Sequence, residues 1–161
     1  MNISLKPSAY SADLEIPSSK SYMQRAIALA MLSDGVSELQ NPDTSNDSLA
    51  ALGIARAMGS SIQEQPGKVL IGPASQASGI TVSVGEAGLG LRLFAPVCAL
   101  LGHDIRIEGR GSLLSRPMGF MEATMRGLGA EISLAGGQYA PIHIHSRLKG
   151  GIVEMDGSDR M

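Results

Sequence analysis

Residues 13–41, DLEIPSSKSYMQRAIALAMLSDGVSELQN, carry the pattern on which the fold prediction rests. LEI alternates apolar and polar residues, as a short strand does. The next stretch, from Ser21 to Gly35, has helical spacing between a serine start and a glycine stop. SELQ then returns to the alternation of a strand. The stretch therefore predicts a strand, a helix and a second strand in close succession.

Short strands and helices continue to alternate along the rest of the chain. Further strands are predicted at KVLIG, ITVSV, DIRIEG, AEISLAGG, APIHIH and GGIVEMDG. A second helix is predicted to open at Asn46 and Asp47, and a third, GLGLRLFAPVCALLGHD, to break or bend at Pro96. A fourth covers SRPMGFMEATMRGLGAEI, with Pro117 in the favoured first helical position. We assign its stripe of apolar residues to the core: Met118, Met121, Met125 and Leu128.

The element order repeats once. AMGSSI at 57–62 resembles GLGAEI at 127–132, and the helix that contains Arg25 aligns with the one that contains Arg92. The repeat of about 68 residues is longer than that of common solenoids. No linker separates the copies, so we expect them to share one core.

This repeat predicts the domain organisation. The fold class is α/β, of the α+β type, built from repeated βαβαββ units. The first unit covers residues 13–80 and the second covers residues 81–149. Residues 150–161 read as the start of a third unit, which is incomplete in this chain.

Composition and charge exclude several classes of protein. The 161 residues are 43% apolar and 17% charged, which is typical of one folded domain. A net charge of −2 and a lack of tryptophan argue against nucleic-acid binding. The single cysteine, Cys98, lies in an apolar run and excludes an internal disulfide. No stretch is apolar for long enough to span a membrane, so we expect a cytoplasmic protein without membrane partners.

Lys20, Ser21 and Arg25 lie in the first turns of the first helix. Free N–H groups and the helix dipole favour an anion there. Lysine provides a point charge, and arginine provides a planar fork that suits phosphate or carboxylate. The same residues would also serve as a capped and solvated helix start. Their spacing alone leaves both interpretations open.

The second unit also has an arginine near the start of a predicted helix. VGEAGLGLR (84–92) is a glycine-rich turn that leads into a helix, with Arg92 placed much as Arg25 is. It lacks the spacing of a P-loop or of a dinucleotide fingerprint. Arg116 is a third cation at a predicted helix start. Together these residues predict a small polyanionic ligand held by converging helix N-termini.

No metal site, cofactor or catalytic group emerges from the remaining polar residues. His143 and His145 alternate in PIHIH and share one face of a strand. A metal site would need a further ligand that the sequence does not supply. We therefore expect exposed strand histidines.

Four segments in order, IPSSKSYMQRAIALAMLSDGVSEL, GEAGLGLR, LLSRPMGFMEATMRGLGAEI and GGIVEMDGS, resemble the 5-enolpyruvylshikimate-3-phosphate (EPSP) synthase family. The resemblance covers nearly the whole chain and about the first third of a family member. The sister enolpyruvyl transferase family that acts on UDP-N-acetylglucosamine is the second-best resemblance. The resemblance implies an α/β prism with mixed sheets and helices packed inside. Residues 1–12 would then form a strand that belongs with the other domain.

The resemblance also implies an activity, transfer of the enolpyruvyl group of phosphoenolpyruvate to shikimate 3-phosphate in aromatic amino acid biosynthesis. It assigns substrate-binding roles by position and no cofactor. Lys20, Ser21 and Arg25 would hold shikimate 3-phosphate; Lys20, Gly88 and Arg116 would hold phosphoenolpyruvate; Arg92 would support them.

Two departures from the family pattern bear on function. Glu86 stands where the family usually has asparagine, and its carboxylate would oppose anion binding unless paired, for example with Arg25 or Arg92. The chain ends Asp159-Arg160-Met161 where the family continues with Ser-Ser-Gln. We therefore expect weak binding of anionic substrate and no catalysis by this chain alone.

Two alternatives remain open at this point. The chain is either the N-terminal part of such a synthase, or a binding module for a phosphorylated carboxylate. That module would be self-standing or completed by a partner. Self-association would use the open edge or apolar face of the unfinished third unit. A structural domain without any ligand is the remaining interpretation.

Overall fold

The computed structural model describes residues 3–4, 6–7, 9, 11–14 and 16–155. Its α-helices are α1 (Lys20–Met31), α2 (Asn46–Ala57), α3 (Gly88–Leu101) and α4 (Gly119–Gly127). Its strands are β1 (Ser37–Gln40), β2 (Ile62–Gln65), β3 (Lys68–Ile71), β4 (Ala77–Ser83), β5 (Gly102–Glu108), β6 (Ile132–Ala135) and β7 (Tyr139–Ile144). A short 3-10 helix covers Gly111–Ser115.

The described strands form two sheets. The first has the order β1-β3-β2 with antiparallel neighbours, and the second has the order β4-β5-β7-β6, in which β4 and β5 run parallel. The order β5-β7-β6 repeats that of β1-β3-β2, with helices at the same places in the chain. This confirms the α+β fold with repeated units, whereas the unit boundaries stay predictions. The polar sequence of β2, IQEQ, gave no alternation from which its strand could be located.

Two predicted strands are wrong in the part that the structure describes. Leu14 and Ile16 lie outside any strand and are 76% and 83% exposed, and Glu15 lies outside the described residues. At GGIVEMDG, residues 150–155 form no strand, and residues 156–161 are not described. A three-residue strand offers few hydrogen bonds, which do not offset the entropy of ordering it. The described residues among 1–12 also lie outside any strand.

The buried residues of both units form one hydrophobic cluster. On α1 the buried face includes Met23 and Ile27, and on α3 it includes Leu91 and Phe94. Helices α1, α2 and α3 pack against one another, and α2 also contacts β4 of the second unit. The expectation of one shared core, with helices inside, therefore holds. Burial of a side chain the size of Phe94 contributes about 1.5–3 kcal/mol.

Two helix predictions need correction. Helix α3 continues through Pro96 without a break. Helix α4 begins at Gly119 with Met118 as its N-cap, so Pro117 lies outside it. The predicted core stripe is confirmed for Met118, Met121 and Met125, which are buried, while Leu128 is half-buried.

The helix starts differ in how they are capped. Ser19 caps α1 by accepting a hydrogen bond from the Tyr22 N–H, and Ser45 caps α2 through the Ser48 N–H. Ala87, at the start of α3, has no side-chain acceptor. The first N–H groups of α3 are therefore available for another acceptor. None of the described helices is long and apolar enough to cross a membrane.

Candidate functional site

An ion pair joins the starts of α1 and α2. Lys20 Nζ lies 2.8 Å from Asp47 Oδ2, and the two side chains are 52% and 24% exposed. The hydrogen bond and the charge of Asp47 raise the pKa of Lys20 above its usual value. Lys20 is therefore charged, accessible and already paired with a carboxylate. Sequence reasoning singled out both residues but did not predict the pair, because no local signal joins positions so far apart.

A second acidic residue fixes the start of α2. Asp43 accepts hydrogen bonds from the Ser45 N–H at 3.1 Å, the Ser45 hydroxyl and the Ser48 hydroxyl. These bonds, those from Ser45 first, lower the pKa of Asp43 below its usual value. Asp43 therefore stays ionised and holds the turn from which Asp47 reaches Lys20.

Ser21 and Arg25 lie on α1 as predicted, one turn apart. The Arg25 Nη1 donates to the Ser21 carbonyl oxygen at 3.1 Å, and the guanidinium is exposed. Ser21 is half-buried. Arg25 makes no ion pair with a described acidic residue, so its charge faces solvent beside Ser21.

The Arg116 guanidinium lies against the start of α3. A Cβ placed on the buried Gly88 would lie 3.1 Å from Arg116 Nη1. Arg116 Nη2 donates to the Ser112 hydroxyl at 3.0 Å, which orients the group. We predicted Arg116 at the start of its own helix, and this is wrong. It ends the 3-10 helix and reaches back to α3, so its charge adds to the open N–H groups there.

Arg92 is not an exposed counterpart of Arg25. It is half-buried on α3, and its Nε atom is fully buried without a hydrogen-bond partner among the described residues. The alignment of the two units therefore predicts its position but not its surroundings.

Glu86 does not pair with either arginine suggested from the sequence. The ion pairs among the described residues include none with Glu86. Its carboxyl group lies against Gly111, where a Cβ would overlap it. With Asp47 and Arg110 it lines a cavity of about 340 Å³ between the start of α2 and the turn before α3.

Both histidines of PIHIH contact other side chains of the protein. His143 Nε2 lies 2.9 Å from Asp104 Oδ1, and His145 Nε2 lies 2.8 Å from the Ser133 hydroxyl. We expected exposed strand histidines: His143 lies on β7 but is half-exposed, and His145 is exposed but follows the end of β7. The described residues contain no group of three or more side chains suited to hold a metal ion. Cys98 is fully buried, as expected of a core thiol, and burial raises its pKa to about 12.

The structure thus places charged or open groups at the starts of α1, α2 and α3, and Lys20 and Asp47 join the first two. We call these residues the helix-start site: Lys20, Ser21, Arg25, Asp47, Gly88 and Arg116. Sequence comparison shows what kind of chain carries them. The family model described as EPSP synthase (3-phosphoshikimate 1-carboxyvinyltransferase) matches residues 5–159. The chain belongs to the EPSP synthase family.

Curated relatives support the assignment to the EPSP synthase family. The chain is 33% identical to a 3-phosphoshikimate 1-carboxyvinyltransferase of Acetivibrio thermocellus, over 97% of this chain and 38% of that protein. It is 32% identical to the one from Thermococcus kodakarensis, over 91% of this chain and 35% of that protein. The chain therefore spans little more than a third of the length of these family members.

Solved structures agree on the fold. EPSP synthase from Acinetobacter baumannii matches with a TM-score of 0.80 and 25% identity, over 92% of this chain and 35% of the other. The enolpyruvyl transferase NikO from Streptomyces tendae matches with a TM-score of 0.57 and 12% identity, over 81% and 30% of the two chains. The second likeness concerns the fold alone and agrees with the predicted enolpyruvyl transferase-like architecture.

Proposed function

We propose that the helix-start site holds the anionic groups of shikimate 3-phosphate and phosphoenolpyruvate. Lys20, Ser21 and Arg25 bind shikimate 3-phosphate. Lys20 also reaches phosphoenolpyruvate, whose anionic groups lie at Gly88 and Arg116. Both molecules carry a phosphate and a carboxylate, which suits cations beside helix starts.

The reaction proposed for the complete assembly is an enolpyruvyl transfer. The 5-hydroxyl oxygen of shikimate 3-phosphate forms a bond to C2 of phosphoenolpyruvate, and the bond from C2 to the phosphate oxygen breaks. The hydroxyl proton leaves with inorganic phosphate in the overall balance. The contribution of this chain is to bind and orient the two polyanions and to offset their charge.

The observation that carries the proposal is the contact between Arg116 and Gly88. It places a guanidinium on a helix start that has no capping side chain. An uncapped start with a cation beside it favours an anionic acceptor, and a phosphate or carboxylate oxygen can contact both the N–H groups and the cation. Arg92 supports the same helix from its second turn.

We propose no catalysis by this chain alone. The enolpyruvyl transfer requires groups that give and take protons near neutral pH. At the helix starts, the raised pKa of Lys20 and the lowered pKa of Asp43 keep both residues charged. Neither is therefore poised to exchange a proton with substrate.

Titration calorimetry with shikimate 3-phosphate at low salt tests the proposal. The wild-type chain should bind in the micromolar to millimolar range, and Lys20→Ala should abolish the heat. Lys149→Ala is the matched control, because it removes an exposed lysine near the far end of α3, where Leu148 N bonds the Ala99 carbonyl. No heat from folded wild-type chain, or equal loss in both variants, would overturn the proposal.

The alternative function is a binding module for a phosphorylated carboxylate that stands alone or is completed by a second copy of this chain. Exposed apolar residues favour self-association. Leu14 and Ile16 are largely exposed, and Ile152 is fully exposed. Strand β1 has one described neighbour, β3, so its other edge is open to pairing.

Sedimentation velocity distinguishes the two functions. A dimer that Ile152→Asp converts to monomer, with shikimate 3-phosphate binding only to the dimer, would favour the self-completed module. A monomer that binds shikimate 3-phosphate would favour the interpretation that the chain is part of an enzyme. For either function we propose a cytoplasmic location, where phosphorylated intermediates are available.

A further inference from the structure

Gln24 carries a buried side-chain amide. It lies on α1 one turn after Lys20 and is 0% exposed. Neither Oε1 nor Nε2 has a hydrogen-bond partner among the described residues. A buried amide without partners costs free energy, and a methionine of similar size would avoid that cost.

The Gln24 amide faces the start of α3. A Cβ on Gly90 would lie 3.5 Å from Gln24 Oε1 and 3.0 Å from the Ala87 Cβ. The first turn of α3 therefore lies within van der Waals distance of the amide. The N–H groups of this turn have no partner within the helix, and Ala87 offers no side-chain acceptor.

An unpaired acceptor and unpaired donors thus lie side by side between α1 and α3. Lys20 belongs to the first of these helices, and Gly88, with Arg116 on it, belongs to the second. The separation of the two helix starts determines whether one small ligand reaches both. Gln24 is a polar side chain at their contact.

We propose that Gln24 is a positioning residue that couples the starts of α1 and α3 when a polyanion binds. In the bound state its Oε1 accepts a hydrogen bond from the first turn of α3. The bond draws Gly88 and Arg116 toward Lys20. This inference rests on the proposed function of the helix-start site, and Gln24 itself does not contact the ligand.

Gln24→Met separates this role from a merely structural one. The variant keeps the volume and removes the unpaired amide, so its melting temperature should stay the same or rise. If Gln24 positions α3, the affinity for phosphoenolpyruvate should fall about tenfold. If Gln24 only fills the core, the affinity should not change.

Ser60→Ala is the matched control. Ser60 is also buried with an unpartnered hydroxyl, but it follows the C-terminal end of α2, away from the helix starts. The control should keep wild-type affinity. Equal affinities of wild type, Gln24→Met and Ser60→Ala for phosphoenolpyruvate would overturn the inference and leave the proposed function intact. Absence of binding by the wild type would overturn the proposed function and the inference with it.

A measurement on the wild-type chain covers the case in which Gln24→Met does not fold. In uniformly nitrogen-15-labelled chain, the Gln24 side-chain amide signals should shift on saturation with phosphoenolpyruvate and exchange more slowly with solvent. Saturation that shifts the backbone amide of Gly88 but leaves the Gln24 side chain unchanged would contradict the inference.

Discussion

Lys20 is held by a carboxylate of its own chain. Asp47 occupies one side of the ammonium group at 2.8 Å, while half of the lysine side chain stays exposed. An anionic ligand competes with Asp47 for this charge. The affinity for such a ligand therefore reflects the difference between two charge-assisted contacts of Lys20, because the contact with Asp47 is lost as the contact with the ligand forms.

Asp47→Asn should therefore strengthen the binding of phosphorylated ligands. Loss of the competing carboxylate frees Lys20, and we expect the affinity for shikimate 3-phosphate to rise several-fold at low salt. Glu64→Gln is the control, because it removes the same unit of charge from the partner of Arg56 at the far end of α2. An equal rise in both variants in calorimetry would show a general charge effect and contradict the competition.

Cys98 should make the free energy of unfolding depend on alkaline pH. Burial raises the thiol pKa from 9.0 to about 12, so the folded state keeps its proton where the unfolded state loses it. This contribution is complete below the unfolded pKa and declines as pH rises toward the folded value, by up to ~1.4 kcal/mol per pH unit. Chemical unfolding from about pH 8 to about pH 11 should be less pH-dependent for Cys98→Ala. Parallel curves of unfolding free energy against pH for the wild type and Cys98→Ala would contradict the raised pKa of the buried thiol.

At the scale of elements, the start of α3 differs from those of α1 and α2. Serine side chains cap α1 and α2, whereas Ala87 leaves α3 uncapped and Arg116 reaches it from the 3-10 helix. A cation at a helix N-terminus is unfavourable without an anion between them. The arrangement therefore supports the binding role that we propose for the start of α3.

Gly88→Ala should weaken phosphoenolpyruvate binding without unfolding the chain. The added Cβ would lie 3.1 Å from Arg116 Nη1, so the guanidinium must shift away from the helix start. We expect about a tenfold loss of affinity in calorimetry. Gly53→Ala in α2 is the control: its Cβ meets nothing within 4 Å, so it should raise stability by about 0.5–1 kcal/mol and leave binding unchanged. Unchanged affinity of Gly88→Ala would contradict the role of the contact.

At the scale of the whole molecule, the two units depend on one core. The cluster of buried residues includes Met58 of the first unit and Phe94 of the second. Helix α2 packs on β4, so a helix of the first unit contacts the second sheet. The helix-start site also draws Lys20 and Gly88 from different units, so binding depends on how the two units pack.

A single cooperative unfolding transition is expected for this reason. Phe94→Ala should destabilise the chain by about 3–5 kcal/mol, since the residue is fully buried. The loss should appear in one transition, followed by circular dichroism for the helices and by hydrogen exchange for β1 and β3. Separate transitions of the two units would contradict the shared core.

Local patterns in the sequence predicted part of this molecule and contacts across the chain determined the rest. The existence of α1 and the buried methionines of α4 follow from spacing alone, but α1 begins at Lys20 with Ser19 as its N-cap rather than at the predicted Ser21. The pair of Lys20 with Asp47 and the contact of Arg116 with Gly88 join distant positions, so no local pattern encodes them. The strand predicted at Leu14 and Ile16 is wrong because alternation signals a strand but not the neighbour it needs.

The most direct test of the helix-start site is a nitrogen-15 NMR titration of the wild-type chain with shikimate 3-phosphate and then phosphoenolpyruvate. Binding at converging helix starts predicts that the backbone amides of Ser21 and Gly88 shift together and saturate, while those around His145 stay unchanged. Shifts confined to the cavity of about 570 Å³ beside His145, or no shifts at millimolar ligand, would contradict the account.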